Sequence, residues 1–181
     1  MSKRALLEDI ADIQTGPFGS QLHSSDYADT GTPIVTVEHL GTRRFTNQNL
    51  PLLNGKDAAR LKKYSMLEGD TIFSRVGAVD RCSYVSKKEK GWLFSGRCLR
   101  VRPKPCTNGL FLYYYLSSQY VKRFIRGIAV GATMPSINTS LLGEVPVVLP
   151  SLEQQAKIAS LLASIDDKIE VNQRTNDYLA A

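Results

Sequence analysis

Residues that usually carry catalysis are scarce in this chain. Histidine occurs twice, at His23 and His39, in polar stretches without a nearby nucleophile, so no Ser, His and Asp set is readable. The three cysteines, Cys82, Cys98 and Cys106, are odd in number and lack CxxC spacing, which fits reduced thiols in a cytosol better than a disulfide frame or a zinc site. A GxxxxGK[ST] phosphate loop is absent, as are a glycine-rich cofactor turn after a strand and an Asn-Pro-Pro-Tyr or Asp-Pro-Pro-Tyr type segment for a flipped base. Asp80 with Glu89 and Lys90 is the nearest approach to a metal-nuclease set, and its spacing is commonplace. Apolar runs such as Leu110 to Leu116 are too short to cross a bilayer, and Met1 to Arg4 leads into Glu8 and Asp9 rather than a hydrophobic signal core. These absences predict a cytoplasmic, non-catalytic protein with no metal set and no membrane span. No internal repeat at a fixed period is visible.

What is present is an uneven distribution of charge over an ordinary soluble composition, 43% apolar and 22% charged. Residues 1–150 carry 20 Lys and Arg against 12 Asp and Glu, a net +8, and the last 31 residues carry 3 against 5, a net −2. A basic globular part joined to a slightly acidic extension suggests that the first meets a polyanion and the second meets protein.

The extension is a helix by its own signals. Pro150 disfavours helix for the residue before it, and Ser151 with Gln154 three positions later is a capping-box pattern. Ile158, Leu162, Ile165 and Ile169 then alternate at four and three residues, and the step continues through Asn172, Asn176 and Leu179. That is a coiled-coil seam, apolar for two heptads and then partly polar. Neither Gly nor Pro follows Gln154, so a helix of about 30 residues, roughly 45 Å long, runs to the last residue. Such a seam needs a second helix over it, and Asn at seam positions lowers stability while fixing register and partner choice. The competing reading is an amphipathic helix folded back on its own domain; the length favours an arm.

In the globular part, residues 6–14 read as a first strand or a short helix, and residues 15–20 as a Gly and Pro loop. Strands are predicted at 33–37, 71–76, 81–85, 98–101 and 145–149, with an exposed polar loop at 42–49. Short helix is predicted at 55–64, with Lys56, Arg60 and Lys63 on one face. A longer helix, capped by Thr107 and Asn108, is predicted from Gly109 to Arg126 with Leu112, Leu116 and Phe124 inward, stopped by Gly127. The fold class is α+β, a globular domain with a mixed, largely antiparallel sheet and helices, followed by the long C-terminal helix.

Four segments in this order resemble the specificity subunits of type I restriction-modification systems. They are Gly16-Pro17-Phe18-Gly19-Ser20-Gln21-Leu22 with Ser24, Ser25, Asp26, Tyr27, Gly31, Pro33 and Ile34; Leu67, Gly69, Asp70, Ile72, Ser74, Arg75, Val76 and Gly77; Ser136, Ile137, Asn138, Leu141 and Leu142 through Val145, Pro146, Leu149 and Pro150; and Glu153, Gln154, Gln155, Ile158, Ala159 and Leu162. Asp80 departs from the small residue, often Gly, expected after Gly77. The resemblance covers nearly the whole chain. It implies a target recognition domain at 1–150 and, at 151–181, the helix that serves dimerisation and methyltransferase-subunit binding.

The resemblance further implies a reader of double-stranded DNA that positions methyltransferase (M) subunits, which hold the S-adenosylmethionine, with a restriction (R) subunit joining for cleavage. The usual member has two recognition domains and this sequence has one, so a homodimer through the C-terminal helices on a bipartite, palindromic target is expected. Sequence reading requires side chains at base edges and phosphate contacts that set register. Candidates in the loops are Gln21, Ser24, Ser25, Arg43, Arg44, Arg75 and Arg81, with Lys62, Lys63, Lys87 and Lys88 as phosphate contacts and Thr133 and Asn138 as weaker candidates. Candidates for the partner face are Ile158, Leu162, Ile165, Ile169, Asn172, Asn176 and Leu179. The rival functions are an interaction module that binds protein or RNA without DNA sequence preference, and a metal-dependent nuclease.

Overall fold

A computed structural model describes residues 3–17, 19, 21–23 and 26–180. The stretch read as strand or short helix is both: strand β1 (Lys3–Leu6) and strand β2 (Ala11–Thr15) flank a single helical turn, α1 (Leu7–Ile10), whose Asp9 accepts the Leu6 N–H at 2.9 Å. Short strands β3 (Tyr27–Ala28), β4 (Thr32–Val35) and β5 (Leu52–Leu53) follow, then helix α2 (Gly55–Arg60), started by the Asn54 side chain, which accepts from Asp57 N–H. Next come β6 (Thr71–Ser74), β7 (Cys82–Tyr84), β8 (Leu93–Phe94) and β9 (Cys98–Pro103). The chain ends with α3 (Gly109–Leu116), α4 (Gln119–Ile128), α5 (Thr139–Gly143), β10 (Pro146–Leu149) and α6 (Leu152–Ala180).

Among the described residues the named strands form two four-stranded sheets, ordered β2-β9-β6-β7 and β3-β5-β4-β8, and the pair β1-β10. Every pairing is antiparallel except β4 with β8. Strand β6 shows why the sheets stack. Its residues alternate faces, so Phe73 enters one core with Leu99, Val101, Leu112, Leu116 and Ile125, and Ile72 enters a second with Ile34, Leu53, Met66 and Phe94. A strand buried on both faces reads as a continuous buried run. The cores meet near a buried charge cluster in which Asp70 accepts from Arg102 at 2.8 and 2.7 Å and from Leu67 N–H at 2.8 Å.

Two expected helices and one histidine differ in the structure. The helix expected from 109 to 126 is broken at Ser117 and Ser118, because the Ser117 hydroxyl donates to Tyr114 O at 3.0 Å and Ser118 caps a new helix that runs through Gly127 to Ile128. The helix expected at 55–64 stops at Arg60 and continues as a 3₁₀ turn, Lys62–Tyr64. Its basic face does not form, since Arg60 turns back to Asp57 at 3.0 Å and to Gln21 O at 2.8 Å. His39, expected in a polar loop, is buried. Its Nδ1 accepts from Thr36 N–H at 3.0 Å, which leaves Nε2 to donate to Gln48 O at 3.1 Å.

Helix α6 starts where Ser151 and Gln154 exchange their capping-box bonds, at 3.2 and 3.3 Å. Its first turns lie on α3. Gln155, fully buried, accepts from Asn108 N–H at 2.7 Å and donates to Pro150 O at 2.9 Å, and Ala159 is buried beside it. From Val171 onward every described side chain is exposed. The helix therefore uses a polar and small-residue face to sit on the domain. The apolar seam faces elsewhere, with Ile158, Ile165 and Ile169 at 39%, 48% and 49% exposure. No helix among the described residues is long and apolar enough to cross a membrane.

Candidate nucleic-acid interface

An open cleft of about 600 Å³ lies between the two sheets, where the loop after β2, the turn after β4, the end of β6 and the turn between β8 and β9 converge. The loop is pressed onto the β8–β9 turn at Gly16. A Cβ there would stand 2.1 Å from Ser95 O, so only glycine permits the approach. Arg75 leaves β6 toward the cleft. Its main chain is held on both sides, by Arg97 O at 2.8 Å and by Ile137 N–H at 3.0 Å, and its guanidinium donates to Gly96 O at 3.0 Å. Arg97 lines the same wall, and its guanidinium has no hydrogen-bond partner among the described residues.

Opposite stand Glu38 and Tyr27. Glu38 lies in the 3₁₀ turn Val37–His39, which the His39 bonds hold in place, and accepts from the Thr36 hydroxyl at 2.8 Å. Burial, with help from the Asp26 and Glu38 charges, raises the Tyr27 phenol above its ordinary value, so it remains a donor. Two guanidinium forks, a carboxylate and a half-exposed ring in an open cleft match base-edge chemistry: guanidinium suits guanine O6 and N7, carboxylate suits cytosine N4, and apolar surface suits the thymine methyl.

The residues named from the sequence fall in several places. Arg75 lines the cleft. Gln21 is near its entrance loop, where its Oε1 accepts from the Tyr64 hydroxyl at 2.8 Å, while Ser24 and Ser25 lie outside the described residues. Lys62, Lys63, Lys87 and Lys88 are exposed on 3₁₀ turns. Lys63 covers the Tyr64 ring at 5.0 Å. Thr133 is exposed in the loop after α4, whereas Asn138 caps α5 by accepting from Leu141 N–H at 2.8 Å. Arg81 donates to Leu40 O, which ties the β7 edge to the loop 41–46. Asp80, the departure from the family pattern, accepts from Arg126 of α4 at 3.0 Å and so braces the turn after Gly77.

Arg43 and Arg44 do not face the cleft. They engage Asp166, Asp167 and Glu170 on α6, and the Arg43 side chain is only 14% exposed. Of the seam residues, Leu162 is half-buried and the other six are exposed. Sequence reasoning missed Arg97 and Glu38. The signal for Arg97 was its place in a Ser95-Gly96-Arg97 turn, and Glu38 was hidden at the end of a stretch read as plain strand.

Known proteins share this fold. The model of the type I restriction modification DNA specificity domain matches residues 3–181. The MjaVIII type I restriction enzyme specificity subunit of Methanocaldococcus jannaschii is 21% identical over 178 residues, which are 96% of this chain and 41% of that protein. Among solved structures, the HsdS subunit from Thermoanaerobacter tengcongensis superposes with a TM-score of 0.70 at 19% identity, covering 96% of this chain and 39% of that one. The S subunit from M. genitalium gives 0.66 at 17% identity, covering 94% and 40%. The chain thus spans about two fifths of the length of these relatives.

Proposed function

Because the chain belongs to the type I restriction-modification DNA specificity family, we propose that its globular part, residues 1–150, reads a double-stranded DNA sequence and that α6 joins it to protein partners. The observation that carries this reading is the cleft, in which Arg75 and Arg97 face Glu38 and Tyr27 on a domain of net charge +8. Arg97 and Arg75 contact guanine edges and Glu38 a cytosine amino group. Lys62, Lys63, Lys87 and Lys88 supply phosphate contacts, and Thr133 lies within reach of the backbone.

The chain performs no chemistry. It acts in the cytoplasm and positions a methyltransferase subunit that carries S-adenosylmethionine, with a restriction subunit joining for cleavage. Two copies pair along Ile158, Leu162, Ile165, Ile169, Asn172, Asn176 and Leu179, which places two recognition domains on a bipartite, palindromic target. The half-exposed isoleucines support this, since a monomeric helix gains nothing by leaving that stripe in water.

The test is binding of duplex DNA by the chain in complex with a methyltransferase subunit, with random-sequence duplex as competitor. If about 6 to 10 phosphates are neutralised, affinity falls by roughly 10³ to 10⁵ between 50 and 200 mM salt, and one sequence resists competition. Equal affinity for every duplex, or for RNA, would make the chain a plain interaction module instead.

A further inference from the structure

Helix α6 is held on the domain at two separated places. The first is the Gln155 clasp near its start. The second lies about three turns further on, roughly 16 Å along the axis at 1.5 Å per residue. There Arg43 donates to the Ala163 carbonyl at 3.3 Å, to the Tyr114 hydroxyl at 3.2 Å and to Asp167. Tyr114 donates to Asp166 at 2.9 Å, and Arg44 donates to Glu170 at 2.7 Å and stands 3.5 Å from Asp167.

The loop that carries the two arginines is itself fixed. Ser83 bonds both Gly41 N–H, at 3.2 Å, and Thr42 O, at 2.7 Å; Tyr84 N–H donates to Arg43 O at 3.0 Å; and Phe45 is buried. Exposed ion pairs are worth little. This group differs because Arg43 is largely buried, both its Nη1 and Nη2 donate to partners, and its Nε stands 3.9 Å from Asp166. Burial works against its charge, but the bonds to Asp167 and Tyr114 outweigh that and hold its pKa above the ordinary arginine value.

One attachment is a pivot, whereas two fix a direction. We propose that Arg43, Arg44, Asp166, Asp167, Glu170 and Tyr114 form a latch that sets the angle between recognition domain and arm, and so the spacing between the two half-sites. The inference rests on the paired reading given above. The lever is long: α6 has 29 residues, about 43 Å at 1.5 Å per residue, so a tilt of about 10° moves the far end by roughly 7 to 8 Å, about two base-pair steps of 3.4 Å. These six side chains are positioning residues, remote from the bases.

The experiment uses the chain with its methyltransferase subunit and duplexes in which the wild-type half-sites are separated by the native spacer or by one or two base pairs more or fewer. Wild type should methylate the native spacing at least about 100-fold faster than its neighbours. The Asp167→Asn, Glu170→Gln double variant should bring the ±1 spacers within about tenfold of the native one, and Arg43→Gln, with a different burden on folding, should do the same. Arg43→Lys should restore part of the discrimination. A variant complex that methylates while keeping the wild-type spacer profile overturns the latch. A wild-type complex indifferent to spacing overturns the paired reading itself, and the wild-type arm alone reveals that failure.

Discussion

Replacing Ile165 by Asp tests the arm at the residue where the structure gives a magnitude. Ile165 is 48% exposed in the single chain, so about half of its burial remains to be gained from a partner. Full burial of an isoleucine contributes roughly 2 kcal/mol, which leaves about 1 kcal/mol per copy and about 2 kcal/mol per symmetric pair. The variant loses that and brings a carboxylate into the seam from each side, at about 1 kcal/mol or more apiece even with water retained. The sum, about 4 kcal/mol, weakens association roughly 10³-fold. Sedimentation equilibrium at micromolar concentration should therefore give twice 20.0 kDa for wild type and 20.0 kDa for Ile165→Asp, with the domain's thermal transition unmoved because the side chain touches neither core. An undiminished dimer in the variant would refute the seam assignment. Monomeric wild type, with methyltransferase subunit present as well as absent, would refute pairing altogether.

Other outcomes follow from the fold. Cys82 and Cys98 are buried, which pushes both thiols up to about 12, so a charged disulfide reagent should label only the exposed Cys106 in the native protein and all three after denaturation. Asp70→Ala should cost about 3 kcal/mol in urea unfolding, at the low end for a broken buried pair because Arg102 is 28% exposed; a loss under about 1 kcal/mol would contradict the role given to the cluster. The Glu170 carboxyl is held below its ordinary 4.5, first by the Arg44 hydrogen bond and then by the charges of Arg44, Arg174 and Arg43. Its contribution is therefore complete above pH 4.5 and disappears as pH falls through the lowered value. Amide protection in segment 163–170, taken relative to the intrinsic exchange rate at each pH, should drop over that window in wild type and not in Glu170→Gln. Arg97→Gln should relax the methylated sequence at one position per half-site, whereas Lys87→Gln should weaken binding at every sequence alike.

Local signals proved readable from the sequence and distant ones did not. The Ser151 and Gln154 box, the Asn108 cap and the strands β6 and β9 depend on neighbours within a few residues, and all form. Strands β3, β5 and β8 have two residues each, too few for any periodicity. The pairing of Arg43 with Asp167 spans 124 residues, so a loop of exposed appearance gave no sign of its partner. The docking face of α6 was hidden for another reason: Gln155 and Ala159 carry little apolar signal, and the isoleucines beside them carry much. Of the cleft, Arg75 was legible through its place at the end of a strand, beside a turn; Arg97 and Glu38 became candidates only when folding brought three turns together.

The most direct test is to express the chain with its methyltransferase subunit in cells lacking other adenine methylation and to map the modified bases across the genome. The account predicts a single bipartite sequence whose two halves are inverted copies, abolished when the chain is omitted. Methylation without a defined sequence, or a defined sequence that persists without the chain, would contradict it.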